Sequence, residues 1–241
     1  MEITTFNDGF SLDGVSCGTV GLWCDTPPIQ ILAEEKGSYY SVGRDTELYA
    51  SDDSYKDISF KFTCYAWFNE DFDTSNVYAF LHGKKKLSMT RNDGYYWKIR
   101  SVSCTPSENM DGKRIKYQIT FKCAPWRYFD NEAVVTLTGA ENVQNAGTRF
   151  CMPKYTLHLS ALTGIGSFTV NGQQVTITIP TTMGSNVLVV DSENAIAYDG
   201  NNVIRTQYTS GIYPYMNLGD NWTTFGGIIS SIDIQRNERC Y

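Results

Sequence analysis

Histidine most often supplies the base that activates a catalytic nucleophile, and this chain has two histidines, His82 and His158. His158 lies in the alternating stretch 155–160, which places its ring on the opposite strand face from Leu157 and Leu159. We therefore expect His158 to be a surface side chain and not a base. His82 precedes a glycine suited to end a helix, where a cation is mildly favoured, so its position also has a structural explanation.

Paired carboxylates are the second chemistry that the sequence raises, because two of them across a cleft can hydrolyse a glycosidic bond. Three adjacent pairs are present: Glu34 with Glu35, Asp52 with Asp53, and Glu70 with Asp71. All three lie in polar, turn-like stretches, where we expect solvated carboxylates. The chain also has no G-x-x-x-x-G-K-[ST] phosphate loop and no G-x-G-x-x-G fingerprint. These patterns favour a protein that is not an enzyme.

Cysteine is the third candidate, as a metal ligand or a disulfide partner. The chain has seven cysteines, an odd number, and none of them forms a C-x-x-C pair. A structural zinc site needs close pairs of cysteine or histidine, and the two histidines are far from each other and from any cysteine pair. We therefore predict reduced, mostly buried thiols, with no metal and no cofactor.

Aromatic side chains are the remaining functional candidates. Tyr213, Tyr215 and Trp222 cluster in a stretch that also contains Asn217, Asp220 and Asn221. Exposed aromatic rings beside amide and carboxyl groups can stack on sugars, but they can equally anchor a protein interface or fill a core. The sequence leaves these three interpretations open, with core or interface favoured over sugar.

Composition excludes several classes of protein. With 241 residues, 41% of them hydrophobic, the chain can bury a sizeable core, and its net charge of −6 argues against a basic nucleic-acid binder. Residues 155–190 carry no Lys, Arg, Asp or Glu, but this stretch is rich in polar residues and contains Pro180, so we expect no membrane span. The first residues lack the basic start and apolar core of a signal peptide, so we expect synthesis in a cytosol.

The charged residues are distributed unevenly along the chain. There are 15 Lys+Arg and 18 Asp+Glu up to Asp130, but only 5 and 8 after it. A fall in charge density of this size predicts two domains with different surfaces, residues 1–130 and residues 131–241. No Gly-, Ser- or Pro-rich linker marks the join, so we place the crossing at residues 125–131.

Both predicted domains are mainly β. Residues 56–64 and 116–123 alternate between apolar and polar side chains, as half-buried antiparallel strands do. Asp93-Gly94 and Asn171-Gly172 predict hairpin turns, and Pro180 is expected to end a strand. One short helix is predicted, with a capping oxygen from Thr74, Ser75 or Asn76 and an end at Gly83. The short, regularly spaced strands of the second part predict a β-sandwich.

Seven segments carry a recognisable pattern in order along the chain: residues 10–15, 40–46, 55–58, 121–126, 145–153, 189–193 and 213–221. They include an opening strand, a counterpart of a V-P-G-R-D-G segment, an aromatic-Cys-Pro signature and an N-x-G-T…P segment. Together they resemble the distal tail proteins of siphophages, over nearly the whole chain. Two segments depart from the family pattern: residues 40–46 lack its Pro and have Thr46 in place of its last Gly, and residues 213–221 lack the Pro before Gly219.

The resemblance implies a structural role at the virion tail tip, after assembly in the bacterial host cytoplasm. Its first domain would form a homohexameric ring around a channel, and its second would be a galectin-like β-sandwich facing outward. The ring would join the tail-tube protein to tail-associated or receptor-binding proteins, and DNA would pass through without specific binding. No catalytic residue or cofactor belongs to this role. The alternative is a carbohydrate-binding protein that acts through Tyr213, Tyr215 and Trp222 on the second sandwich.

Overall fold

The structure is a computed structural model that describes residues 9–26, 28–40, 48–67, 74–110 and 114–241. The described chain forms two compact units, one that ends at Asp130 and includes Tyr241, and one that comprises Asn131–Cys240. Residues 41–46 of one family-like segment lie outside the described residues, as do Glu70 and Asp71 and the side chains of Asp52 and Asp53. That the first unit forms a ring and that the second is galectin-like stay predictions.

The first unit is built from antiparallel strands and one α-helix within the described ranges. The strands are β1 (Phe10–Leu12), β2 (Val15–Ser16), β3 (Leu22–Thr26), β4 (Glu35–Tyr40), β5 (Leu48–Tyr55), β6 (Ile58–Trp67), β7 (Lys86–Met89), β8 (Tyr95–Met110) and β9 (Arg114–Phe129). Sheet I runs in the order β2-β1-β7-β8-β9-β6-β3, while β4 and β5 pair as a separate hairpin.

Alternation along β6 and β9 decides which face of sheet I is buried. In β6 each inward side chain is buried and each outward one is exposed or half-buried, which confirms the predicted half-buried strand. Phe62 of β6 packs against Phe121 of β9 with ring centroids 5.6 Å apart, and Phe10 of β1 lies 4.8 Å from Phe62. These three rings form the centre of the first unit's core.

The predicted helix is present as α1 (Thr74–Leu81), which buries Val77, Phe80 and Leu81. Gly83 follows the helix with φ +70°, the left-handed conformation that the prediction required. Thr74, Ser75 and Asn76 form the start of this helix, and that one of them supplies the capping oxygen stays a prediction. In the part of the chain that the structure describes, no helix has the length and apolar character of a membrane span.

The strands add detail to two local predictions. Asp93 and Gly94 do end a hairpin between β7 and β8, but only Gly94 has a positive φ, and a 3₁₀ turn (Thr90–Asn92) lengthens the loop. The predicted crossing at residues 125–131 contains the point between Asp130 and Asn131 where the two compact units divide, and β9 occupies the crossing as far as Phe129. Pro125 is accommodated inside this long strand, where its register with β8 is irregular.

The second unit is described without gaps and contains eleven strands and no α-helix. They are β10 (Val135–Leu137), β11 (Glu141–Asn145), β12 (Lys154–Leu159), β13 (Gly164–Val170), β14 (Gln173–Ile179), β15 (Val187–Asp191), β16 (Ile196–Asp199), β17 (Thr209–Gly211), β18 (Gly219–Gly227), β19 (Ile229–Gln235) and β20 (Arg239–Cys240).

Ten of these strands form two five-stranded antiparallel sheets. Sheet II runs β10-β19-β12-β15-β16 and sheet III runs β11-β18-β13-β14-β17. Both sheets bury side chains in one shared core, with Tyr155 and Leu157 from sheet II and Phe168 and Ile177 from sheet III. The rings of Tyr155 and Phe168 lie 4.9 Å apart across it. The predicted β-sandwich is therefore present.

The predicted Asn171-Gly172 hairpin turn is confirmed between β13 and β14. Asn171 and Gly172 have φ values of +49° and +82°, and Val170 pairs with Gln173 directly across the turn. Positive φ at both central residues is the turn geometry that Asn-Gly favours. The second strand then ends at Ile179, immediately before Pro180, as predicted.

Candidate functional site

The three predicted site aromatics lie in three different environments. Trp222 projects from the outer face of sheet III and is 51% exposed, with its strand paired to Asn142 of β11. Tyr213 is half-buried against the sandwich core, and its hydroxyl shares a 2.8 Å hydrogen bond with Thr209. Tyr213 therefore serves the fold, while Trp222 remains available to a partner.

Tyr215 has a third kind of environment. Its ring is 41% exposed and packs edge-on against Phe150, with centroids 5.8 Å apart. Its backbone is held on both sides by Gln173, whose amide accepts from Tyr215 N at 3.2 Å and donates to Tyr215 O at 3.3 Å. No ring contact in the structure joins the three predicted aromatics, and a shared sugar-stacking platform is not favoured.

Asn221 fixes the loop that carries these tyrosines. Its side chain is fully buried, and its Oδ1 accepts from Asn171 Nδ2 at 2.7 Å and from Asn217 N at 2.8 Å. Its Nδ2 faces the carbonyl oxygens of Gly219 at 2.8 Å and Asn217 at 3.0 Å. The last residue of the family-like segment 213–221 is thus a structural anchor of the loop.

The N-x-G-T segment is explained by a second anchor at the end of β11. Asn145 Oδ1 accepts from Gly147 N at 3.0 Å, and its Nδ2 donates to the carbonyls of Arg149 and Asn217. A Cβ on Gly147 would lie 2.5 Å from the carbonyl oxygen of Arg239, so only glycine fits there. Thr148 N donates to the same carbonyl at 2.9 Å. The N-x-G-T segment therefore joins the end of β11 to the backbone near Asn217 and Arg239, and its side chains have a structural role.

His158 is on the outer face of sheet II, opposite the buried Leu157 and Leu159, as predicted. Its Nε2 lies 2.7 Å from Oδ2 of Asp233, and the Thr136 hydroxyl donates to Oδ1 of the same carboxylate at 2.7 Å. A nucleophile–base pair needs the hydroxyl on the imidazole, whereas here both groups bind the carboxylate. These hydrogen bonds, first that of His158 and then that of Thr136, lower the pKa of Asp233 below its ordinary value.

The seven cysteines are free thiols, and all but the half-buried Cys104 are buried. Cys24 and Cys64 are directly opposite on β3 and β6, with their sulfur atoms 3.2 Å apart. Burial raises the pKa of Cys123 and of Cys151 to about 12. Among the described residues, no three His, Cys, Asp or Glu side chains are grouped as metal ligands would be.

The first unit has an exposed aromatic cluster that the sequence analysis missed. Trp23 of β3 stacks on Tyr65 of β6 with centroids 5.8 Å apart, and lies 5.5 Å from Trp67, which is 53% exposed. Arg114 of β9 covers the Trp67 ring at 5.6 Å. We call Trp23, Tyr65 and Trp67 the aromatic edge, because β3 ends the strand order of sheet I. Continuing the β6 alternation four residues beyond Thr63 would have shown Tyr65 and Trp67 facing outward.

The two-unit β architecture defines the class: it is the fold of the distal tail proteins, and the resemblance seen in the sequence is confirmed at the level of the fold. SPP1 Dit (gp 19.1) aligns with a TM-score of 0.64 at 12% identity, over 94% of this chain and 97% of that one. That protein is described as a paradigm of the hub adsorption apparatus in phages that infect Gram-positive bacteria.

The baseplate of phage P2 contains a second similar chain. In its activated conformation with Ca the alignment has a TM-score of 0.51 at 8% identity, over 94% of this chain and 97% of that one. With Sr the TM-score is again 0.51 at 8% identity, with 95% and 98% covered. No protein-family model matches the sequence, and no curated protein matches it.

Proposed function

We propose that this protein is a structural hub at the tip of a siphophage tail. It forms a homohexameric ring through its first unit, joins the tail tube to tail-associated or receptor-binding proteins, and lets DNA pass through the ring. The observation that carries this proposal is the likeness to SPP1 Dit, which spans both units and nearly the full length of each chain. Assembly takes place in the bacterial host cytoplasm, and the finished location is the virion tail tip.

The chemistry of the described residues supports a role without catalysis. His158, Asn145 and Asn221 make hydrogen bonds that hold strands and loops together. The exposed aromatic side chains lie on sheet surfaces, where they suit protein contacts. We therefore propose that the protein is not an enzyme and uses no cofactor.

The net charge supports free passage of DNA. Each copy carries −6, so a closed ring of copies is strongly acidic as a whole. Such an assembly repels the phosphate backbone on average and does not retain it. DNA therefore passes through the ring without a specific binding site.

The experiment that tests this function is mass measurement with electron microscopy of the full chain, alone and after co-expression with the products of the neighbouring tail genes. Hexameric rings that bind the tail-tube protein are the expected result. A chain that stays monomeric in both preparations would overturn the proposal. Rings that appear only with the partners are consistent with it, because the partners then supply part of the closure energy.

A further inference from the structure

Two surfaces of the first unit present exposed apolar side chains. One is the aromatic edge with Arg114 beside it. The other is the apolar loop, residues 28–34, which connects β3 to β4 and leaves Ile29 83%, Leu32 70% and Ile31 53% exposed. Exposed apolar side chains that are grouped on a surface in this way often mark a site of interaction with another protein.

The apolar loop is held in place while its apolar side chains face outward. Gln30 Oε1 accepts from Arg127 Nη1 at 3.2 Å and from Asn92 Nδ2 at 3.4 Å. Ala33 is buried in the core, and Lys56 N donates to Glu34 O at 2.8 Å. The loop is thus held at three points. Because its backbone is already ordered, binding a partner through Ile29, Ile31 and Leu32 loses little further conformational entropy.

The apolar loop leads away from the aromatic edge of its own copy. Trp23 precedes Ile29 by only six residues, so the near ends of the two surfaces are at most about 20 Å apart. However, β3 runs from its pairing with Tyr65 toward Thr63, away from Trp67, and the loop ends beside Lys56, ahead of β6. At about 3.3 Å per residue, the stretch from Lys56 to Trp67 separates the far ends by about 35 Å. One copy therefore directs its loop away from its own edge.

The charged side chains beside the apolar loop and beside the aromatic edge have opposite signs. Arg114 lies over Trp67, and Lys116 is directly opposite Tyr65 on the neighbouring strand, so the aromatic edge is flanked by two cations. Two acids, Glu34 and Glu35, end the apolar loop and begin β4. The ion pair of Glu34 with Lys56 is well exposed on both sides and hinders a new contact only weakly.

We propose that the apolar loop of one copy docks on the aromatic edge of the next copy and forms the repeating contact of the ring. A ring requires two different, mutually complementary patches on each subunit, and these surfaces meet that requirement. Docking also covers the side of β3 that ends sheet I, an edge that would otherwise invite unwanted pairing. This inference rests on the proposed hexameric ring and names the residues that close it.

The test uses the full chain under the conditions in which the unmodified protein forms rings. The loop variant carries Ile29→Asp and Leu32→Asp, and the edge variant carries Trp67→Asp. Matched controls are Ile165→Asp and Ile204→Asp, because these side chains of the second unit are 63% and 65% exposed. Circular dichroism establishes that all the variants are folded, and light scattering with electron microscopy measures assembly.

For each docking variant alone, the protein concentration at half-assembly should rise by about tenfold or more, because an interface anchor has been lost. The controls should assemble at the same concentration as the unmodified chain. An equimolar mixture of the loop and edge variants should give one-to-one dimers, because one intact loop and one intact edge remain. Rings from either docking variant at the concentration at which the unmodified chain assembles, or a mixture that stays monomeric, would overturn the docking proposal and leave the ring function standing. An unmodified chain without rings, with or without its tail partners, would instead overturn the proposed function.

Discussion

Nε2 of His158 lies 2.7 Å from Oδ2 of Asp233, a pairing that ties β12 to β19 on the outer face of sheet II. Thr136 of β10 donates to the other carboxylate oxygen at 2.7 Å. The single carboxylate therefore links three neighbouring strands through their side chains. Since both groups bind its ionised form, they lower the pKa of Asp233 below its ordinary value.

Replacement of Thr136 by valine should remove part of this stabilisation in a pH-dependent way. A carboxyl group whose folded pKa is depressed contributes stability above its unfolded pKa, near 4, and loses it as the pH falls through the folded value. Thr136→Val should therefore destabilise the second unit by roughly 1 kcal/mol at neutral pH, and the difference should vanish toward pH 2. Urea unfolding followed by circular dichroism at several pH values measures this.

The matched control for this prediction is Thr178→Val. Thr178 is an exposed threonine on sheet III and lies outside the cluster around Asp233. It should leave the stability difference between pH 7 and pH 2 unchanged. A Thr136→Val effect of equal size at both ends of the pH range would show that the hydroxyl acts through packing and not through the carboxylate.

Asn221→Ala tests whether the loop around Tyr213 and Tyr215 depends on one buried amide. The substitution leaves the backbone groups of Asn217 and Gly219 without their partner, at an expected cost of roughly 2 to 3 kcal/mol. Hydrogen exchange of peptides covering residues 213–221 should accelerate more than exchange elsewhere in the sandwich. Asn142→Ala, at an exposed asparagine of the adjacent strand β11, should change neither stability nor exchange.

Local pattern predicted much of this fold because burial on one face imposes a period of two on a strand. The alternation of β6, the Asn171-Gly172 turn and the buried face of α1 all followed from such local rules. The length of β9 did not, because pairing with β8 carries the strand past Pro125 to Phe129. The charge density falls at Asp130, one residue after this strand ends, but the fall itself does not reveal the strand.

The candidate surfaces were harder to predict for a physical reason. Trp23 and Trp67 are far apart in the sequence, and only the register of β3 against β6 brings their rings within 5.5 Å. Tyr213, Tyr215 and Trp222 are close in the sequence, yet strand alternation and the loop give each a different environment. Local alternation predicts which face of a strand a side chain occupies, but not which strand and which side chains lie beside it.

Thiol reactivity in the folded protein should be confined largely to Cys104. It is the half-buried member of the seven, whereas burial holds the pKa of Cys123 and Cys151 near 12. At pH 8 a thiol with that pKa is ionised in only about one molecule in ten thousand, and the thiolate is the reactive form. Iodoacetamide followed by peptide mass spectrometry should modify Cys104 first, and Cys104→Ser should nearly abolish native labelling. Early modification of Cys123 or Cys151 would contradict this account.

Gly147→Ala should be among the most damaging single-methyl changes in the second unit. The new Cβ would lie 2.5 Å from the carbonyl oxygen and 3.1 Å from the nitrogen of Arg239. That carbonyl oxygen already accepts hydrogen bonds from the backbone N–H groups of Thr148 and Arg149, so it cannot move freely. We expect a loss of roughly 2 to 3 kcal/mol, measured as a lower transition temperature by calorimetry.

Gly139→Ala is the matched control, since a Cβ there meets nothing within 4 Å and the glycine does not have a positive φ. It should be neutral, or stabilising by up to about 1 kcal/mol, because alanine restricts the unfolded chain. Equal transition temperatures for the two variants would contradict the steric account of the N-x-G-T segment. A selective loss at Gly147 would show that this family-like motif is maintained by backbone packing and not by a binding role.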